Sequence, residues 1–333
     1  MTDAESGDGE SVCCSLCPAN CRIKNGHFGA CGVRGSKNGV GIIPFYGFIS
    51  SLAVDPIEKK PLYHFKPGTQ ILSLGFAGCN FRCPFCQNWH ISQNTDIPGK
   101  WMKPGEIISA ALRQGTPSIA YTYSEPLVHA EYILDCMTLA KRHGIANVLV
   151  TNGCVNLQAA AEILELADAA NIDLKSFSSE TYSKMLGYGS EGTHLLTVQN
   201  FIKLAYKMGV HVEVTTLVVP QMNDSKEELS GAADFIADID RKIPWFLSAY
   251  HPEYRWNAPP TDRDFIARAA KEARNKLAFV YAGNSGSDND THCLNCGAAL
   301  VRRQGYKTEI TGLVPGEKAF NCANCSQPSF ILC

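Results

Sequence analysis

The sequence predicts an α/β fold, an incomplete (β/α)6-type TIM barrel flanked by small N- and C-terminal cysteine-rich metal modules. Apolar runs of strand length alternate with amphipathic helical patterns over about 210 of the 333 residues, which is typical of a parallel sheet with right-handed crossovers. The apolar runs are continuous, so both faces of the sheet are expected to be covered. Eleven of the 15 cysteines fall into three groups, and two of these groups flank the alternating region.

Composition divides the chain into four segments. Residues 1–11 are acidic and rich in Ser and Gly, and we expect a disordered tail there. Residues 12–66 are rich in Gly, Pro and Cys and end in a strand-like stretch and a connection, which predicts the N-terminal module. Residues 67–284 carry the barrel pattern. A linker rich in Gly, Ser, Asn and Asp then leads into the C-terminal module at 285–333.

The barrel region contains seven apolar runs and six helical patterns, which fit an incomplete barrel better than one with eight units. The first helical pattern opens at Pro104 and stops at Gly115, and the second ends at Gly144. The predicted strands are 71–77, 117–123, 145–151, 170–176, 211–219, 245–250 and 277–283. The predicted helices are 104–115, 125–144, 157–167, 198–209, 225–239 and 261–274.

Charge and hydropathy exclude several classes of protein. The chain has 30 Lys and Arg against 32 Asp and Glu, a formal charge of −2, so no nucleic-acid partner is expected. The first ten residues lack the basic and apolar parts of a signal peptide, and no apolar run reaches about 18 residues, so no membrane association is expected. A cytoplasmic location is the default expectation. Thiols stay reduced there, so grouped cysteines indicate metal or cluster ligands.

The central cysteines have the spacing Cys-x3-Cys-x2-Cys and follow the first predicted barrel strand directly. Cys79, Cys83 and Cys86 therefore belong to a loop at the carboxyl end of a strand, which is where barrels carry their chemistry. Three close thiolates suit a [4Fe–4S] cluster that leaves one iron open to an external ligand. The alternative is a structural zinc site completed by His64 or His90.

This loop resembles the signature of the radical S-adenosylmethionine (SAM) superfamily. The resemblance implies that SAM chelates the open iron, and that an electron from the reduced cluster cleaves SAM to methionine and a 5′-deoxyadenosyl radical, which abstracts hydrogen from a substrate. It also implies catalytic roles for Cys79, Cys83 and Cys86, and a place near the adenine for Phe85.

Four later strand ends carry further residues that this resemblance assigns to SAM or to the substrate. Ser124 and Glu125 stand in a Tyr-Ser-Glu-Pro segment that resembles the family's Gly-Gly-Glu-Pro segment, where the Glu holds the SAM ammonium; the alternative is a Glu stabilised by a helix dipole. Asn152, Asp173 and Lys175 resemble polar groups of glycyl-radical activating enzymes that reach the SAM ribose and carboxylate. The alternative for Asp173 and Lys175 is a structural ion pair, but their position at a strand end favours the functional role. The resemblance places His251 near the substrate in a catalytic role; a structural histidine is the alternative.

The two outer groups are candidate metal ligands of a different kind. The C-terminal group resembles a zinc ribbon, with two Cys-x2-Cys pairs that predict a structural zinc; an electron-relaying iron–sulfur cluster is the alternative. The N-terminal group has irregular spacing, and zinc and an auxiliary cluster stay open. The groups are Cys14, Cys17, Cys21 and Cys31 at the N-terminus and Cys293, Cys296, Cys322 and Cys325 at the C-terminus.

The combined motifs, from about residue 13 to 327, resemble the AmmeMemoRadiSam-system radical SAM enzymes, relatives of pyruvate formate-lyase activating enzyme. The resemblance implies an oxidoreductase-type or activating enzyme, a one-electron reductant of the flavodoxin or ferredoxin type, and Memo-like and AMMECR1-like partner proteins. Two other functions compete with hydrogen abstraction from an unidentified substrate. One is activation of a partner glycyl-radical enzyme, and the other is a non-catalytic zinc-binding scaffold.

Overall fold

An eight-stranded sheet dominates the computed structural model, which describes residues 11–183, 193–286, 289–317 and 319–332. Seven strands run parallel in chain order, and one strand pairs antiparallel at an edge. Helices separate the parallel strands, so the predicted α/β fold with a parallel sheet is confirmed. Residues 1–10 of the predicted tail, and Cys333, lie outside the described residues.

The strands fall into three regions. Those before the sheet are β1 (Ser11–Cys13), β2 (Arg22–Lys24), β3 (Gly35–Lys37), β4 (Val40–Ile42) and β5 (Phe48–Ile49). The sheet contains β6 (Ser51–Pro56), β7 (Gln70–Gly75), β9 (Ser118–Thr122), β10 (Ala146–Thr151), β11 (Ala169–Asp173), β12 (His211–Val218), β13 (Trp245–Ala249) and β14 (Val280–Gly283), while β8 (Lys100–Trp101) pairs with β5. The last region contains β15 (Thr291–His292), β16 (Ala299–Gln304), β17 (Lys307–Ile310), β18 (Leu313–Val314) and β19 (Asn321–Cys322).

The helices overlap all six predicted helical patterns. They are α1 (Trp89–Ser92), α2 (Pro104–Gln114), α3 (Ala130–Arg142), α4 (Leu157–Leu164), α5 (Ser179–Thr181), α6 (Thr193–Lys207), α7 (Lys226–Ile239) and α8 (Arg263–Ala273), with 3-10 helices at Ile57–Lys59 and Pro126–His129. The predicted terminators hold for α2, which has Pro104 in its first turn and Gly115 at its end with φ 63°. No helix of the described residues is long and apolar enough to cross a membrane.

Two elements differ from the sequence-based expectation. The edge strand β6 lies just beyond the predicted strand-like stretch. Its residues alternate in exposure, so it lacks the continuous apolar run by which the other strands of the sheet are predicted. The predicted helix at 125–144 begins instead with a 3-10 turn capped by Glu125, whose carboxylate accepts a hydrogen bond from Leu127 N at 3.0 Å. This cap turns the chain at the carboxyl end of β9, beside the cysteine loop.

The two edges of the sheet, β6 and β14, are bridged by the segment 61–66 and the end of the chain. Leu332 N donates to the His64 carbonyl at 2.8 Å, and Lys66 N donates to the Leu332 carbonyl at 2.9 Å. His64 Nε2 is also 2.7 Å from the Tyr281 hydroxyl. The C-terminal region is therefore packed against the open side of the barrel.

Candidate active site

The cysteine loop leaves β7 through a close contact with the N-terminal region. Cys79 N donates to the Cys31 carbonyl at 3.2 Å. Gly78 has φ 76°, and a Cβ at that position would lie 2.4 Å from the same carbonyl oxygen. Only glycine fits this approach, so the N-terminal region helps to fix the start of the loop.

The three central sulfurs share one cavity but do not form a single-ion group. Cys79 Sγ accepts a hydrogen bond from Phe81 N at 3.3 Å, and Cys86 Sγ is 3.2 Å from Ser92 Oγ. Within the described residues these sulfurs do not all come within 4.8 Å of one another, as the ligands of a single-ion group do. An all-thiolate triplet in a wider arrangement fits an iron–sulfur cluster, whose potential is sensitive to such hydrogen bonds.

A cavity of about 720 Å³ begins at this loop and continues through the barrel. Its wall includes all three central cysteines and residues from most of the parallel strand ends. The predicted cofactor residues on this wall are Phe85, Ser124, Glu125, Asn152, Asp173 and Lys175. The strand ends thus gather in space residues that are about 90 positions apart in the chain.

Glu125 has a buried carboxylate held by its own chain. Oε1 accepts hydrogen bonds from Leu127 N at 3.0 Å and Thr151 Oγ1 at 2.6 Å, and Oε2 accepts from Asn152 N at 2.8 Å. Burial raises its pKa to about 7, although these hydrogen bonds and Lys175 oppose the rise. The carboxylate therefore has a capping role and also lines the cavity.

Asn152 connects the end of β10 to the cysteine loop. Its Nδ2 donates to Asn80 Oδ1 at 2.9 Å and lies 3.9 Å from Cys79 Sγ, while its Oδ1 accepts from Cys154 N at 2.8 Å. The side chain is almost fully buried. Asn152 is therefore held beside Cys79, the first cysteine of the central loop.

Asp173 and Lys175 form an ion pair of 2.8 Å at the end of β11. Burial lowers the pKa of Lys175, but the charge of Asp173 outweighs it and the net pKa is raised. In Cys83, burial raises the thiol pKa to about 12, and the Lys175 charge opposes that rise. The ion pair thus places the Lys175 cation near Cys83, the second cysteine of the central loop.

Tyr123 and Ser124 stand where the resembling segment of the family has two glycines. Tyr123 adopts φ 71°, a left-handed conformation that the glycine of the resembling segment reaches without strain. Its hydroxyl donates to Asp55 Oδ2. Ser124 Oγ is buried and has no hydrogen-bond partner among the described residues. A ligand oxygen or nitrogen in the cavity would satisfy it.

His251 is the one predicted catalytic residue that the cavity wall does not include. Its side chain is exposed, and Nδ1 lies 3.3 Å from Gln87 Nε2, next to the cysteine loop. It therefore stands at the rim, and its catalytic role stays a prediction.

Sequence reasoning missed the opposite end of the cavity. Glu58, Lys59 and Lys60 line it, following the unpredicted strand β6, and Arg303 and Tyr306 line it from the hairpin of β16 and β17. The only local signal is a Glu-Lys-Lys run before a proline, which also suits an exposed turn.

The C-terminal cysteines form a compact group. The sulfurs of Cys293, Cys296, Cys322 and Cys325 all lie within 4.8 Å of one another, with pairs at 3.6 and 3.7 Å. Four sulfurs about 2.3 Å from one tetrahedral ion lie about 3.8 Å apart. This group can therefore hold a metal ion.

The N-terminal cysteines lie in loops between β1 and β3 and do not form a comparable group within the described ranges. Cys21 Sγ accepts a hydrogen bond from Ala30 N at 3.3 Å. Burial raises the pKa of Cys17 to about 12, and the neighbouring Cys31, Cys14 and Cys21 thiolates add to the rise. The four thiols are therefore neighbours, and the metal site predicted for them stays a prediction.

The barrel, the cysteine loop and the cavity together define a class of protein, and the chain belongs to the radical SAM superfamily, whose family model matches residues 74–235. This membership implies a [4Fe–4S] cluster and SAM as cofactors. The chain is 40% identical to an uncharacterized protein of Methanocaldococcus jannaschii, over 93% of this chain and 92% of that one. It is 27% identical to the pyruvate formate-lyase-activating enzyme of Clostridium pasteurianum, over 53% of this chain and 73% of the relative.

Among solved structures, a radical SAM methyltransferase from Sphaerobacter thermophilus superposes with a TM-score of 0.49. The sequence identity is 14%, and the superposition covers 66% of this chain and 67% of the other.

Proposed function

We propose that the protein is an enzyme that binds a [4Fe–4S] cluster through Cys79, Cys83 and Cys86, cleaves SAM reductively and abstracts hydrogen from a substrate held in the barrel cavity. The observation that carries this proposal is that three thiols and a set of buried polar groups open into one cavity of about 720 Å³. Such a concave site at strand ends is where barrels bind substrates.

When bound and reduced, the cluster supplies the electron that cleaves SAM to methionine and a 5′-deoxyadenosyl radical. The chain's own residues bind and orient the participants. Glu125 would bind the SAM ammonium, because a carboxylate pairs with an ammonium. Asn152, Asp173 and Lys175 would bind the SAM carboxylate and ribose. Ser124 would contribute its unpaired hydroxyl, and Phe85 would contribute a buried apolar face for the adenine. His251 would act from the rim.

A second candidate function is activation of a glycyl-radical enzyme. The match to an enzyme named as activating pyruvate formate-lyase favours it. The same loop would then act on a backbone glycine of a partner protein. We also propose a flavodoxin- or ferredoxin-type reductant and Memo-like and AMMECR1-like partner proteins. The support for them is the resemblance of the combined sequence motifs to the AmmeMemoRadiSam-system enzymes.

Anaerobic reconstitution with iron and sulfide, followed by SAM and dithionite, tests the reaction. We expect a [4Fe–4S] EPR signal and 5′-deoxyadenosine. A glycyl radical in an added partner would select the activating function, and turnover of a small molecule without one would reject it. Zinc without iron after oxygen-free purification, and no 5′-deoxyadenosine, would instead favour a non-catalytic scaffold.

We propose further that the C-terminal cysteines hold a structural zinc, on the support of the tight all-sulfur group. Cys296→Ser should lower the zinc content by about one ion per chain, since a closed site needs all four ligands. Elemental analysis would measure this, with Cys13→Ser, an exposed cysteine outside the predicted ligand groups, as the control. Loss of iron rather than zinc in the Cys296 variant would contradict the assignment and favour a second cluster.

A further inference from the structure

Lys60 is a buried amine at the far end of the cavity. It follows the 3-10 helix after β6, is 2% exposed and lines the cavity that begins at the cysteine loop. Its Nζ donates to Asp55 Oδ2 at 2.7 Å and lies 4.2 Å from the centroid of the Tyr123 ring. Because the Tyr123 hydroxyl donates to the same carboxylate, an amine, a carboxylate and a phenol meet at one point.

The neighbouring lysines have different surroundings. Lys59 pairs with the other oxygen of Asp55 at 2.8 Å, but 43% of its side chain is exposed. Lys175 is kept protonated by Asp173. In Lys60, burial lowers the pKa to about 8 even though Asp55 opposes the shift. Near neutral pH a fraction of this amine is therefore uncharged, the state in which a lysine is a nucleophile.

We propose that Lys60 Nζ forms an imine with the carbonyl carbon of a substrate bound in this cavity. The ammonium releases one proton to solvent, and the free amine forms a C–N bond while one of its own protons passes to the carbonyl oxygen. That oxygen takes one proton from solvent and leaves as water, and a protonated imine forms whose charge pairs with the Asp55 carboxylate. One ammonium and one carbonyl give one iminium and one water, so no oxidant or reductant is needed.

The charges on this part of the wall indicate which carbonyl compounds fit. The Arg303 guanidinium donates to neutral oxygens, Thr291 Oγ1 at 2.7 Å and the Tyr63 carbonyl at 2.7 Å. Lys59 and Lys60 both pair with the Asp55 carboxylate. Three cations, Lys59, Lys60 and Arg303, outnumber the two carboxylates of Asp55 and Glu58 on this side of the cavity. A carbonyl compound with its own carboxylate, such as a small 2-oxo acid, complements this excess of positive charge. The inference rests on the proposed function, because it names the substrate class of the same cavity.

Reductive trapping tests the imine without SAM or reduced cluster. The full-length protein is incubated with glyoxylate, pyruvate or propanal and sodium cyanoborohydride, and the modified lysines are mapped by peptide mass spectrometry. We expect Lys60 to be labelled at least about tenfold faster than Lys59, since burial lowers the pKa of Lys60 and enlarges its neutral fraction. Glyoxylate and pyruvate should label Lys60 faster than propanal does, because propanal has no carboxylate.

Two variants separate Lys60 from its neighbour. Lys60→Arg keeps a cation beside Asp55 but forms no stable imine, so the label at this position should vanish, while Lys59→Arg should leave the labelling of Lys60 in place. If Lys60→Arg does not fold, the map of the unaltered protein still decides. Labelling of Lys59 as fast as Lys60, or no label on Lys60 from any of the three probes, would overturn the proposal. Failure of 5′-deoxyadenosine formation would not affect this readout.

Discussion

Cys83→Ala is expected to abolish 5′-deoxyadenosine formation. The substitution removes one of three thiols that open into the cavity and leaves only two central ligands for the cluster. A cluster held by cysteine thiolates depends on each of them. We expect product below detection in the anaerobic assay and loss of the reduced-cluster EPR signal that SAM perturbs.

Cys136→Ala is the matched control. Cys136 is fully buried in α3 and is not part of the cavity wall. Removing its sulfur should cost about 1 kcal/mol of stability and leave product formation intact. Product formation, rather than total iron, is decisive, because the N-terminal cysteines could retain iron in both variants. Undiminished 5′-deoxyadenosine from the Cys83 variant would refute the cluster assignment.

The sequence predicts the fold and the cysteine loop because both are local patterns. Strand and helix periodicities need only neighbouring residues, and Cys79, Cys83 and Cys86 occupy one short loop after β7. Glu125 and Asn152 are chosen by the family resemblance, and each also follows a parallel strand, whose ends meet at one edge of a barrel. The residues that line the near half of the cavity are therefore within reach of sequence reasoning.

The far half of the cavity depends on contacts that no local pattern encodes. The Tyr123 phenol reaches Asp55, 68 positions earlier, on an antiparallel strand that alternates in exposure. Arg303 reaches the Tyr63 carbonyl across 240 positions. The resemblance places His251 near the substrate; its side chain lies at the exposed rim beside Gln87, and its catalytic role stays a prediction. Burial of Lys60 is a consequence of these long-range contacts.

Glu125→Gln is expected to weaken SAM binding by about 10- to 100-fold, the effect of losing a charge-assisted pair worth about 1.5–3 kcal/mol. The carboxylate now accepts hydrogen bonds from Leu127 N, Thr151 Oγ1 and Asn152 N. The NH2 group of the glutamine amide would face at least one of these donors and could not accept its hydrogen bond. A loss of stability of about 1–3 kcal/mol should accompany the change. Equilibrium dialysis of SAM against the reconstituted protein and thermal unfolding measure the two effects separately.

Thr151→Val separates the capping role of Glu125 from its proposed contact with SAM. The substitution removes the 2.6 Å hydrogen bond to Oε1 but keeps the carboxylate, so it should lower the melting temperature with little effect on SAM affinity. Because burial raises the pKa of Glu125 to about 7, the carboxylate gains a proton as pH falls from 8 to 6, and SAM affinity of the unaltered protein should fall with it. The glutamine variant cannot titrate and should lack that trend. If Glu125→Gln lowers only the melting temperature, the carboxylate serves the turn after β9 and another group binds the SAM ammonium.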